Sequence, residues 1–231
     1  MSHPSVYDGC YLPTIAVHGL EVEYYGKRAH ATIAPWDGVN ALDALIQGFN
    51  NINALRQQLK PTMRLHGIIL DGGTVGNFIP CGPACTKWLT CREYTKGAFS
   101  ARARTSAELR ELKTNLVKCL EGAGISTRCT YKISERLHYK GHAPSLLPSL
   151  IPDLKVNAPL ANRYEQYASL LGVNFPSRRE QENLEASAST DQGNVSYEIP
   201  ALQAVYKIDV PSGEANHTAA FTNVWHVVSN C

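Results

Sequence analysis

"IAVHGLEVEYYGKRAHATIAPWDGVNALDALIQGFNNINALRQQLKP", residues 15–61, changes its hydrophobic period partway along. In its first part Leu20, Val22 and Tyr24 face one way, and Glu21, Glu23 and Tyr25 the other. Period two is the signature of a strand buried on one side. A polar loop follows and carries one histidine, His30. Then Val39, Leu42, Leu45, Ile46, Phe49, Ile52, Leu55 and Leu59 recur at steps of three and four. That spacing predicts an amphipathic helix of about five to six turns. Asp37 is placed to cap it, and Lys60-Pro61 ends it.

The same alternation of signals continues outward. "MRLHGIILD" predicts a second strand, broken by Gly72-Gly73, and "AFSARAR" a third. Thr105 with Glu108 reads as a capping box, and Leu109, Leu112, Leu116 and Leu120 give the next helix its apolar stripe. Gly122 and Gly124 are the expected stop, and "RCTYKIS" the fourth strand. Residues 17–134 therefore read strand, helix, strand, strand, helix, strand, the order of a ferredoxin-like split β-α-β sandwich. Two helices would cover one face of an antiparallel sheet.

Beyond residue 137 the character changes. Pro144, Pro148, Pro152 and Pro159 punctuate the chain. "APLANRYEQYASLLG" predicts a helix with Leu160, Tyr164, Tyr167, Ala168 and Leu171 on one side and Gly172 as its stop. "SRREQENLEASAS" reads as a polar loop, and "STDQGNVSYEIPALQAVYKI" as a helical turn feeding an apolar strand. "GEANHTAAFTNVWHVVSNC" ends inside a helical pattern.

Composition bounds the function. The 231 residues suffice for one large domain or two small ones. A net charge of +2 favours neither nucleic acid nor anionic membranes. No apolar run approaches bilayer length, and Met-Ser-His-Pro lacks the basic start and apolar core of a signal peptide. A cytoplasmic location is the default expectation. The seven cysteines are odd in number and irregular in spacing, which fits no disulfide framework. Cys81, Cys85 and Cys91 cluster without the C-x-x-C spacing of a structural zinc site. No phosphate loop, dinucleotide fingerprint, H-E-x-x-H or nucleophile elbow is present. Three polar settings stand above background: His30 before a helix, Asn77 in the glycine-rich "GGTVGNFIP", and His217 in "NHTAAF".

"VEYYGKRAHATIAPWDGVNALDA", "LRQQLKPTMRLHGIILDGGTVGNFIP", "STDQGNVSYEIPAL" and "NHTAAF" together resemble the di-zinc metallopeptidase and amidohydrolase family of aminoacylase and carboxypeptidase G, peptidase family M-twenty. The wording is nearest the branch of aminobenzoyl-glutamate hydrolase and peptidase domain-containing protein 2. The resemblance implies an α/β fold in which a ferredoxin-like α+β lid, used for dimerisation, precedes the C-terminal part of a zinc-peptidase catalytic domain. It assigns residues 1–16 to the end of a first catalytic segment, 17–134 to the lid, and 135–231 to a truncated second segment. Residues 81–97 stand out as an insertion.

Roles follow by the same resemblance. His30 would reach a partner subunit's active site and stabilise the oxyanion. Asn77 would contact substrate. Arg102 would bind a substrate carboxylate, with Arg104 as competitor for that role. His3 and His217 would be zinc ligands, in a family whose complete enzymes hold two zinc ions. Asp191 fits a supporting or helix-capping role. The implied substrate is a small dipeptide or N-acyl amino acid, and the implied partner a second copy, giving a homodimer through the lid. The family's H-x-D motif and glutamate pair would lie upstream of His3, so the chain alone is expected to be inactive, a fragment. The alternative is a non-catalytic, lid-type interaction protein.

Overall fold

The structure is a computed structural model that describes residues 2–27, 29, 33–73, 94–136, 150–184, 188–210 and 218–228. In chain order the elements are β1 (Ser2–Ser5), β2 (Ala16–Tyr25), α1 (Ala41–Leu55), β3 (Arg64–Asp71), β4 (Tyr94–Ala103), α2 (Ser106–Ser126) and β5 (Thr130–Glu135). Then come β6 (Leu150–Ile151), α3 (Ala158–Leu170), α4 (Arg178–Glu182), α5 (Gln192–Glu198), β7 (Ala204–Lys207) and α6 (Ala219–Val228). The fold is mixed α/β. It divides into two compact units, one of Ala16–Leu150 and one of Met1–Ile15 with Ile151–Cys231.

In the Ala16–Leu150 unit the strands run in the order β3-β4-β2-β5, and each neighbouring pair is antiparallel. Alternation along β2 and β4 sorts the side chains onto two faces. Leu20, Val22 and Tyr24 meet Phe99, Gly97 and Thr95 across the strand pair, on the buried face. Helices α1 and α2 pack there, bringing Leu45 and Ile52 against Leu109, Leu112, Leu116 and Leu120. Fully burying one such leucine contributes about 1.5–3 kcal/mol, so this stripe is the main driving force for the unit. The Tyr24 hydroxyl, buried beneath the helices, donates to the Leu120 carbonyl at 2.7 Å. Burial pushes its ionisation well above the usual tyrosine range.

Several boundaries differ from the sequence reading. Helix α1 is capped by Asn40, whose side chain accepts from the Leu42 N–H at 3.0 Å. Asp37 instead closes a short 3-10 turn over Pro35–Asp37. A second 3-10 turn, Arg56–Gln58, shortens the helix. Thr105 accepts from the Glu108 N–H at 3.2 Å, but the Glu108 carboxylate turns to Lys60 at 2.7 Å, so the box is half made. Helix α2 runs through Gly122 and Gly124 to Ser126. Gly124 is there for packing: a Cβ would sit 2.4 Å from the Tyr131 ring. The helix ends where Arg128 adopts φ 62°. Of the expected insertion 81–97, residues Tyr94–Gly97 belong to β4, and 81–93 lie outside the described residues.

In the other unit β1 and β7 form a parallel pair, with His3 opposite Val205. The stretch read as a polar loop contains α4, started by a complete capping box between Ser177 and Glu180. From α4 the fully buried Gln181 reaches inward. Its carbonyl oxygen accepts from the N–H groups of Cys10 and Tyr11 at 2.8 and 3.1 Å. Its amide donates to Glu165 at 2.7 Å and to the Pro176 carbonyl at 2.9 Å. Every polar atom of the side chain is thereby satisfied, as burial demands. Arg178 lies over the Tyr11 ring at 4.6 Å. Helix α3, capped by Asn157 and stopped at Gly172 with φ 89°, buries only Ala161. Its expected apolar side is largely exposed: Leu160, Tyr167 and Leu171 are 39, 66 and 86% accessible.

Candidate functional site

The loop that carries His30 is closed at its base. Lys27 and Val39 exchange two backbone hydrogen bonds, N–H to carbonyl at 2.8 and 2.7 Å. Gly26 makes this approach possible, since a Cβ there would lie 2.0 Å from the Val39 carbonyl oxygen. The Arg128 guanidinium donates to the Gly38 carbonyl at 3.4 Å and ties the same base to the end of α2. Loop residues Ile33 and Trp36 are exposed. The frame that would hold His30 is thus described, and His30 itself lies outside the described residues. Asn77 and His217 also lie outside them.

His3 is exposed on β1, and its Nδ1–H donates to the Pro4 carbonyl at 2.8 Å. Among the described residues no three His, Cys, Asp or Glu side chains gather as a metal centre would require. The described residues therefore do not make a zinc site by themselves. Asp191 stands at the N-cap position of α5 but makes no capping hydrogen bond. Cys10, Cys119 and Cys129 are free thiols. Burial, reinforced by Glu165, pushes the Cys10 thiol up to about 12, so it is chemically quiet.

Arg102 lies on β4, on the sheet face turned away from α1 and α2. Its strand partners are Val17 on β2 and Arg64 on β3. Its Nε is buried without a hydrogen-bond partner, and so is the Oγ of Ser100 two residues before it. His66 on β3 stands directly opposite Ser100. Partial burial and the nearby Arg102 and Arg56 cations hold the His66 imidazole below its ordinary value. Sequence reasoning reached Arg102 but not Ser100 or His66, because only the strand register brings them together. Arg104, the competitor for Arg102's role, lies just past the end of β4 and is exposed.

Known proteins place the chain. No family model matches it. The Xaa-Arg dipeptidase of Mus musculus is 36% identical over 222 residues, which is 96% of this chain and 46% of that protein. The Xaa-Arg dipeptidase of Homo sapiens is 35% identical over 222 residues, 96% of this chain and 45% of its own. The chain thus spans about half the length of the curated relatives it matches. Among solved structures, the aminobenzoyl-glutamate utilization protein of Klebsiella pneumoniae superposes with a TM-score of 0.58 at 15% identity. That match covers 87% of this chain and 46% of the other. Among the described residues no helix is long and apolar enough to cross a membrane. The chain is thus similar in sequence to about half of Xaa-Arg dipeptidase and in fold to about half of the aminobenzoyl-glutamate utilization protein.

Proposed function

We propose that this chain forms part of an amidohydrolase that cleaves the amide bond of a dipeptide or N-acyl amino acid. The carrying observation is the 36% identity to Xaa-Arg dipeptidase across nearly the whole chain. A dipeptide with a C-terminal arginine is accordingly the first substrate to try. In this reading residues 17–134 are a dimerisation lid, and 1–16 with 135–231 belong to the catalytic domain. His30, held on the loop pinned by Lys27 and Val39, hydrogen-bonds the scissile carbonyl oxygen in the partner subunit's site. Asn77 contacts the substrate and Arg102 takes its carboxylate. His3 and His217 are zinc ligands, the metal supplying an activated water and a polarised carbonyl. The remaining metal ligands and the general base are not among the residues matched here, so residues 1–231 alone are expected to be inactive.

Dimerisation is supported by β3, which lies at one end of the strand order. Ile68, Ile69 and Leu70 on it are exposed. An edge strand of that kind invites pairing with a second copy. The test is hydrolysis of a dipeptide ending in arginine by residues 1–231 and by the product of the full transcript, each with added zinc. The reading expects free arginine from the second and none from the first. No release by either sinks it.

A further inference from the structure

One cavity of the Ala16–Leu150 unit is lined by none of the residues proposed to act in hydrolysis. Its volume is about 460 Å³, within the range of small-molecule sites, roughly 300–1,000 Å³. Three pieces of chain meet around it. The closed base of the His30 loop gives Pro35, Gly38 and Val39, the start of α1 gives Asn40 and Asp43, and the end of α2 gives Arg128. The lining thus combines an apolar surface with two charges of opposite sign.

Neither charge is neutralised. Among the described residues Asp43 and Arg128 make no ion pair, with each other or with a third group. Asp43 is in the first turn of α1 but does not cap it, since the Asn40 Oδ1 fills that role by accepting from the Leu42 N–H at 3.0 Å. That bond leaves the Asn40 amide N–H groups to donate elsewhere. Arg128 follows the Thr127 cap of α2, a position that ordinarily goes to glycine. Its φ of 62° is the only positive value at a described residue other than glycine. The helix end does not need its side chain. The N–H groups of Thr127, Arg128 and Cys129 already reach the carbonyls of Ala123, Ile125 and Gly124 at 3.2, 3.2 and 3.0 Å. The guanidinium gives one N–H to the Gly38 carbonyl at 3.4 Å and keeps the rest of its fork. A strained arginine whose side chain closes neither a helix nor an ion pair is suited to holding a ligand.

We propose that Arg128, Asp43 and Asn40 bind a free α-amino acid at the base of the His30 loop. The Arg128 fork and the Asn40 amide take the carboxylate, Asp43 takes the ammonium, and Pro35 and Val39 meet an aliphatic side chain. A simple anion would be repelled by Asp43 and a simple cation by Arg128, so both signs belong on one ligand. A ligand seated against Gly38 and Val39 also steadies the two Lys27–Val39 hydrogen bonds that close the loop. This binding goes beyond the amidohydrolase reading, in which neither Asp43 nor Arg128 takes part.

The test is an NMR titration of isotope-labelled residues 1–231 with L-valine at constant ionic strength. Two analogues run beside it: N-acetyl-L-valine, which lacks the ammonium, and L-valinamide, which lacks the carboxylate. L-Valine should shift the Val39, Asp43 and Thr127 amides saturably. Each analogue should bind weaker by roughly tenfold or more, the loss expected of one hydrogen bond to a charged group. Asp43→Asn and Arg128→Asn should each weaken L-valine to the same degree. Asparagine tolerates a positive φ, so Arg128→Asn keeps the backbone of the helix end, and the exposed Asp43 supplies a second variant should the first misfold. Saturating L-valine should slow amide exchange at Lys27 and Val39 severalfold. No saturable shift with L-valine, equal binding of all three compounds, or binding indifferent to either substitution would overturn the site. Binding that leaves exchange at Lys27 and Val39 unchanged would overturn its coupling to the loop.

Discussion

Replacing Gly26 by alanine should loosen the loop that presents His30. The new Cβ would lie 2.0 Å from the Val39 carbonyl oxygen and 3.1 Å from the Ala41 N–H nitrogen. Both neighbours are backbone, so neither can swing aside like a side chain. Either β2 or the entry to α1 must move, and the Lys27–Val39 pair of hydrogen bonds is the contact that gives way. Two backbone bonds at about 0.5–1.5 kcal/mol each set the loss near 1–3 kcal/mol. The effect is local, so the readout should be local too. Amide hydrogen exchange at Lys27 and Val39 should quicken roughly five- to 150-fold, at 1.4 kcal/mol per factor of ten. Amides of Leu112 and Leu116 in α2 should hardly change. Unchanged protection at Lys27 and Val39 would refute the steric argument. In an active enzyme the same variant should lower turnover more than the affinity for zinc.

Three further outcomes are expected. Gln181→Leu leaves the Cys10 and Tyr11 N–H groups buried without an acceptor, at about 1–3 kcal/mol each. Denaturant melts should show the unit containing α4 losing about 2–6 kcal/mol, with the other unit unaffected. His66 has a folded pKa below its unfolded value of 6.5, so the unfolded chain binds more protons. Stability of the Ala16–Leu150 unit should therefore hold above pH 6.5 and fall as pH drops from there through the folded value; His66→Gln should flatten that slope in melts taken across the range. In the enzyme, His30→Ala should cut turnover by roughly 10²–10³ while metal analysis finds the zinc content unchanged, as expected of a group that stabilises an oxyanion.

Local signals carried much of the fold. The alternation in β2 and the leucine stripe of α2 sit where the sequence placed them, because both patterns are cut directly by burial. Starts and stops were less legible. Asp37 and Asn40 are both acceptable caps, and only the Lys27–Val39 bridge decides for Asn40. Gly122 and Gly124 look like a helix stop, yet Gly124 is needed inside α2 by the Tyr131 ring. Helix α4 hid in a charged stretch, although Ser177 and Glu180 carry its capping box in plain sight. The apolar side of α3 is mostly exposed, and no periodicity could reveal that. For the site, a resemblance named residues whose placement periodicity could not supply. His3 and Arg102 are described in the structure, whereas His30, Asn77 and His217 lie outside the described residues. His66 and Ser100 depend on the β3–β4 register, a long-range pairing that leaves no local trace.

The account turns on His30 serving the active site of a second copy, and subunit mixing examines this. Homodimers of the full transcript's product carrying His30→Ala or His3→Ala should each be inactive. After subunit exchange, a mixed dimer holds one site with intact metal ligands and a His30 from its partner. With random pairing, half the dimers are mixed and one of their two sites works, so about a quarter of the normal turnover should return. If His30 serves its own subunit, or if the two copies do not share sites, mixing will restore nothing, and the account is contradicted.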